Sequence, residues 1–161
     1  MQTTETLRKR GELNAYLIDP AWKGKFPSLL PKNQWPVLEH LFQKKNQITT
    51  AGQLYSYQHG FNFAFIAGGT GTNTPTPSDG FLQAEQQRFE IFDVVFTPGE
   101  INAFAEIPPS TGNLTWQEWG VFLDDATNAA GSGTMYSRLL QTFTKTLGTS
   151  VLLTYTLRET I

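Results

Sequence analysis

The stretch Leu114-Thr-Trp-Gln-Glu-Trp-Gly-Val-Phe-Leu123 decides how this chain is read. With period two, Leu114, Trp116, Glu118, Gly120 and Phe122 point one way, and Thr115, Gln117, Trp119, Val121 and Leu123 the other. Large apolar side chains on both faces predict a strand covered on both sides, at the centre of a domain rather than at its edge. It carries an acid, Glu118, in its middle. A polar loop from Asp124 to Thr134 follows, then Met135-Tyr-Ser-Arg-Leu-Leu140, a turn around Gly148, and Val151 to Leu157, rich in β-branched and aromatic residues. Together these segments predict a three-strand meander.

Upstream, Ile101 to Ile107 predicts another strand, and Leu82 to Phe96 one more, entered through a short helical turn. A Gly, Thr and Pro loop over 67–80 separates them from Phe61-Asn-Phe-Ala-Phe-Ile66, whose Phe61, Phe63 and Phe65 are expected on one face, and Tyr55 and Tyr57 begin the region. Short strands with turn signals between them predict a mainly β protein, with an antiparallel β-sandwich over residues 51–161.

Residues 1–50 read differently. Residues 3–19 predict a helix capped by Thr3 or Thr4, with Leu7, Leu13, Tyr16 and Leu17 as an incomplete apolar stripe and Asp19-Pro20 as its end. From Pro20 to Pro36, proline is too dense for a long helix or a central strand, so an extended arm is expected. Its Trp22, Phe26, Leu29, Leu30 and Trp35 must lie on something. Docking on a neighbouring subunit is the expectation, and packing on the chain's own sandwich the alternative. Pro36 to Lys45 predicts a second short helix with Val37, Leu38, Leu41 and Phe42 on its face.

The succession Glu118-Trp-Gly-Val-Phe122, Gly133-Thr-Met135, Ser137-Arg138, Lys145-Thr146 and Leu153-Thr-Tyr-Thr-Leu157 follows an upstream Gly69-Thr-Gly-Thr72, Ser78-Asp79, Leu82, Glu85 and Arg88. In this order, from about Phe61 to Leu157, the chain resembles small β-sandwich structural proteins encoded by tailed bacteriophages. It departs from their pattern at Trp119, where they tend to have an aliphatic residue, and at Gly131-Ser-Gly133, in place of paired glycines. The resemblance implies a non-enzymatic virion protein made in the host cytoplasm. It would be a tail, neck, baseplate or fibre-attachment component, or alternatively a capsid decoration (cement) protein. Its partners would be other virion proteins and copies of itself.

Composition agrees with an ordered chain of about one domain plus an appendage: 161 residues, 16% charged and 13% aromatic. The absence of cysteine excludes disulfides and thiolate metal sites. Nothing resembling a signal peptide follows Arg8-Lys-Arg10, and no run approaches the roughly 18 apolar residues of a membrane span, so no membrane partner is expected. The net charge of −2 gives no global pull towards nucleic acid. Its distribution is uneven: residues 1–50 hold eight bases against four acids, the rest four bases against ten acids. Such asymmetry predicts two surfaces with different partners, or a head-to-tail contact between copies.

Catalytic and cofactor chemistry finds little support. Gly68-Gly-Thr-Gly-Thr72 lacks the Lys-Ser/Thr of a phosphate-binding loop and leads into Asn-Thr-Pro-Thr-Pro rather than a helix. His40 and His59 are too few for a metal triad, Asp124-Asp125 lacks the ligand spacing of a calcium loop, and no Gly-x-Ser-x-Gly elbow occurs. No cofactor is expected. A glycan-binding role in host adsorption is a rival reading, with Trp116, Trp119, Tyr136 and Tyr155 as stacking platforms, although aromatics at this period are more often core. One polar pair stands out. Glu118 amid aromatics needs a partner if it points inward, and Arg138 after the next turn offers one, giving a structural clamp on strand register. Glu85 and Arg88 are expected to play a similar part.

Overall fold

The computed structural model describes residues 8–19, 32–35, 37–111 and 114–160. Its strands are β1 (Arg8–Ile18), β2 (Val37–Lys45), β3 (Gln47–Ile48), β4 (Phe63–Gly69), β5 (Glu85–Thr97), β6 (Glu100–Ile107), β7 (Thr115–Leu123), β8 (Met135–Thr144) and β9 (Ser150–Thr160). One α-helix, α1 (Thr50–His59), and a 3-10 turn over Lys32–Gln34 complete the described elements. The strands pair antiparallel in the order β2-β1-β9-β6-β5-β4-β7-β8-β3. Asn46 alone separates β2 from β3, so the strand at one edge of the sheet leads directly into the strand at the other. The nine-stranded sheet is thereby nearly closed into a barrel. The sheet is continuous where the sequence predicts a sandwich, because β5 bridges its two halves: Glu85 to Glu90 pair with β4 and Ile91 to Thr97 with β6.

The barrel interior is aromatic. Phe63 meets Tyr136 at 5.2 Å and Tyr155 at 5.3 Å between ring centroids, both edge-on, and Trp116 meets Trp119 at 5.4 Å. Such pairs contribute about 0.5–1.5 kcal/mol each beyond the area they bury. Phe42 of β2 reaches Trp119 at 5.9 Å and Phe143 at 5.7 Å, filling the seam between β2 and β8.

Several expectations are corrected. The helix predicted over 3–19 is, from Arg8, a strand: β1 pairs with β9 through eleven residues, from Arg8 with Thr160 to Ile18 with Ser150. Leu13 and Ala15 enter the core while Glu12, Asn14 and Tyr16 face outward, an alternation that the helical spacing of Leu13, Tyr16 and Leu17 obscures. The second predicted helix, 36–45, is from Val37 the strand β2, with Phe42 buried and Leu38 exposed. A division at residue 50 therefore runs through the sheet. Tyr55 and Tyr57 belong not to a strand but to α1, whose start is capped by Thr49: its hydroxyl accepts the Gly52 N–H at 2.9 Å. Of the arm, Trp22, Phe26, Leu29 and Leu30 lie outside the described residues.

Two register breaks also overturn strict alternation. One between Trp116 and Glu118 turns Trp116 into the core beside Trp119, Val121 and Leu123, leaving Glu118, Gly120 and Phe122 on the outer face. Another between Phe63 and Phe65 sends Phe63 inward and Phe65 outward, so the three phenylalanines do not share a face.

Candidate functional site

On the outer face of β4, β7 and β8, the loop 70–84 lies across the barrel and converges on Glu118. This side chain is 0% exposed, and Arg138 is 1% exposed. Arg138 donates to Glu118 Oε2 from Nε at 3.0 Å and Nη2 at 2.8 Å. The loop supplies the rest: Gly71 N (2.9 Å) and Ala84 N (2.7 Å) donate to Oε1, and Gln83 N (3.0 Å) to Oε2. Five donors thus replace the water that the carboxylate loses, the condition under which a buried charge is tolerated.

The glycines of Gly69-Thr-Gly-Thr72 have a direct reason. A Cβ at Gly69 or at Gly71 would lie 2.6 Å from Glu118 Oε1. The motif cradles an anion, and the anion is the protein's own side chain. Arg138 continues outward, donating from Nη1 to Asp79 Oδ2 at 3.1 Å and from Nη2 to Asn73 Oδ1 at 2.6 Å. Burial works to raise the Asp79 pKa. Hydrogen bonds from the Thr76 N–H and hydroxyl, together with Arg138, outweigh it and hold the carboxyl below its ordinary value.

A second arginine does the same for the loop 124–134. Arg88 grips Glu85 through both oxygens, Nε to Oε2 at 2.9 Å and Nη2 to Oε1 at 3.0 Å. Its Nη1 donates to the Thr127 carbonyl at 2.9 Å and the Ser132 hydroxyl at 3.0 Å, and its guanidinium lies 4.0 Å over the Phe122 ring. Asp125 closes the loop's base by accepting from the Thr134 N–H and hydroxyl, while Asp124 accepts from the Tyr55 hydroxyl.

Trp116, Trp119, Tyr136 and Tyr155 are all 0% exposed, so none can serve as a sugar platform. His59 packs on Tyr55, and His40 stacks on Tyr16 with Nε2 2.9 Å from Asn14 Oδ1. Trp35 packs edge-on against its own barrel, against Tyr16 at 6.3 Å and Phe104 at 5.4 Å.

His40 and Trp35 border a feature that sequence reading misses, an open groove of about 600 Å³ on the outer face of β1, β9 and β6. Asn14, Thr154 and Thr156 are nearly buried in it. Its polar side chains hold one another: Asn14 Nδ2 donates to Glu12 Oε1 (3.0 Å), Thr156 Oγ1 to Asn102 Oδ1 (2.7 Å), and Asn102 Nδ2 to Glu100 Oε1 (2.7 Å). Arg158 donates from Nε to Glu100 Oε2 at 2.9 Å, and its Nη1 lies 4.0 Å from Glu12 Oε1. The Asn102 hydrogen bond and then Arg158 hold the Glu100 pKa below its ordinary value against the effect of burial. For Glu12, burial is outweighed by Gln43, Asn14, Arg158 and Lys45, again leaving the pKa lowered. The polar alternations Glu12/Asn14/Tyr16 and Glu100/Asn102/Phe104 are the sequence signal for this face, and reading β1 as a helix hides the first.

The fold and site define an antiparallel, nearly closed barrel with two loops locked to its wall by buried arginine–carboxylate pairs. No protein-family model matches the chain, and no curated protein or solved structure matches it.

Proposed function

We propose that this chain is a non-enzymatic virion structural protein of a tailed bacteriophage, a tail, neck, baseplate or fibre-attachment component acting through protein–protein contacts. One observation carries the reading. Six residues of the phage-like succession, Gly71, Asp79, Glu85, Arg88, Glu118 and Arg138, meet in space around two guanidinium groups and fix two loops to the barrel wall, while Trp119, Val121, Leu153, Tyr155 and Leu157 of the same succession point into the core. Leu82, Phe122 and Met135 fill the apolar space between the two clusters. With Glu118 and Arg138 sealed from solvent, this machinery offers rigidity and no accessible reacting group. A rigid, loop-locked barrel suits a part whose work is to hold a place in an assembly. Mass spectrometry of gradient-purified particles of the encoding phage tests it. The protein is expected at fixed stoichiometry to the major tail proteins, and its absence from particles while abundant in the lysate overturns the reading.

A further inference from the structure

We propose that the barrel end formed by α1 and the β5–β6 hairpin is a self-association surface, on which a second copy of this chain docks across a two-fold axis. Exposed apolar side chains such as Leu38, Phe81 and Leu147 lie on separate elements, and single ones need no explanation. Those at this end are contiguous. Leu54 and Tyr57, 59% and 69% exposed, share one face of α1 a turn apart. Tyr57 meets the half-buried Phe61 edge-on at 6.4 Å between ring centroids. Phe61, Ile101 and Leu157 line a hollow of about 190 Å³, and Phe96, 63% exposed, lies directly opposite Ile101 on the neighbouring strand.

Area and charge select the occupant. With about 150–250 Å² on each aromatic, Leu54, Tyr57, Phe61 and Phe96 at these exposures present roughly 400 Å² of apolar surface. A stable interface buries about 800 Å² per partner, rather more than half of it apolar, so this patch matches the apolar part of one such interface. Across a two-fold axis a surface meets its own copy, and unpaired charges would face like charges. Here the charges at the rim are answered within the chain. Lys9 lies 3.9 Å from Glu159, with its ammonium 3.8 Å over the Phe61 ring and 4.6 Å over the Tyr57 ring. Glu100 accepts from Arg158, with Lys32 adding a second cation, and Asp124 beside α1 accepts from the Tyr55 hydroxyl. Arg10 pairs opposite Arg158 and shares its outer face, away from the hollow. A patch so balanced gives nucleic acid or a strongly charged peptide nothing to answer. Residues 1–7 hold only Met1 and Leu7 as apolar side chains, too few to cover it.

The inference deepens the structural reading and takes its purpose from it. Sedimentation velocity of the full chain tests it. A monomer at about 1 µM and a dimer at about 100 µM are expected, with no larger species, because a two-fold interface closes on itself. Tyr57→Glu and Phe96→Glu are each expected to weaken the dimer at least about tenfold with an unchanged melting temperature, since both side chains are exposed. Phe81→Glu, as exposed as either but on loop 70–84, is expected to dimerise like wild type. In the wild-type protein, dilution shifts the ring resonances of Tyr57, Phe61 and Phe96 while the buried Tyr155 stays, a readout independent of variant folding. The proposal is overturned if the chain stays monomeric at about 100 µM or assembles beyond a dimer. It is equally overturned if Tyr57→Glu and Phe96→Glu dimerise undiminished, if Phe81→Glu is as disruptive as they are, if the shifts fall elsewhere, or if the monomer sediments with phosphatidylcholine vesicles. A monomer that is nonetheless found in phage particles defeats this inference alone, and a dimer absent from them defeats the structural reading alone.

Discussion

Glu118 is sealed from solvent and surrounded by five donors, three from the backbone of one loop and two from Arg138. Removing one partner of such a pair strands the other charge, so Arg138→Met is expected to destabilise the fold by about 3–5 kcal/mol, read from urea unfolding. Gly71→Ala places a methyl 2.6 Å from the carboxylate, and overpacking of this kind costs about 1–3 kcal/mol. At Gly80 a Cβ would meet nothing within 4 Å, so Gly80→Ala in the same loop stays within about 0.5 kcal/mol of wild type and serves as the control. Acid should release the same loop. The Asp79 pKa is lowered in the folded state, so its contribution is present above the ordinary carboxylate range and is lost as pH falls through the folded value. Asp79→Asn should therefore flatten the decline of stability as pH falls below the ordinary carboxylate range, measured by unfolding at stepped pH. The pairing of Glu118 with Arg138 was legible in the sequence, since a charge amid aromatics demands a partner. The three backbone donors were not, because an N–H carries no sequence mark, and only the two glycines hinted that something had to come close.

At the scale of elements, the strands from Phe63 onward were legible by alternation, whereas β1 and β2 were not. Leu13, Tyr16 and Leu17 satisfy a helical stripe as well as a strand, and only the eleven-residue pairing with β9 decides between them. The same limit hid the bulge that turns Trp116 inward beside Trp119, since a register break reverses parity without changing composition. Removing residues 1–50 would take away β1, β2 and β3, expose the edge of β9 and uncover Leu153, Tyr155 and Leu157. The truncated chain is therefore expected to aggregate or unfold, checked by circular dichroism and size-exclusion chromatography; a monomeric, cooperatively melting product would contradict the observed strand order. Trp35, read from sequence as part of an arm reaching a neighbour, packs on its own Tyr16 and Phe104. Trp35→Ala should lower the stability of the isolated protein by about 2 kcal/mol, less than for a fully buried tryptophan because this one is half-buried.

Across the whole molecule, the interior and the two loop locks serve rigidity, and the open groove is lined by other strands, chiefly β1, β9 and β6. That division suits a protein that holds a fixed place and presents one face outward. It also accounts for where the motif residues fall, since a succession of glycines, acids and arginines meets around two guanidinium groups rather than around an accessible centre. The most direct measurement is a cryo-EM map of the intact particle. The account predicts the barrel at repeated, symmetry-fixed positions in the tail, neck, baseplate or fibre attachment, with loops 70–84 and 124–134 ordered against its wall. A particle map in which every protein density is assigned and none fits this barrel would contradict it.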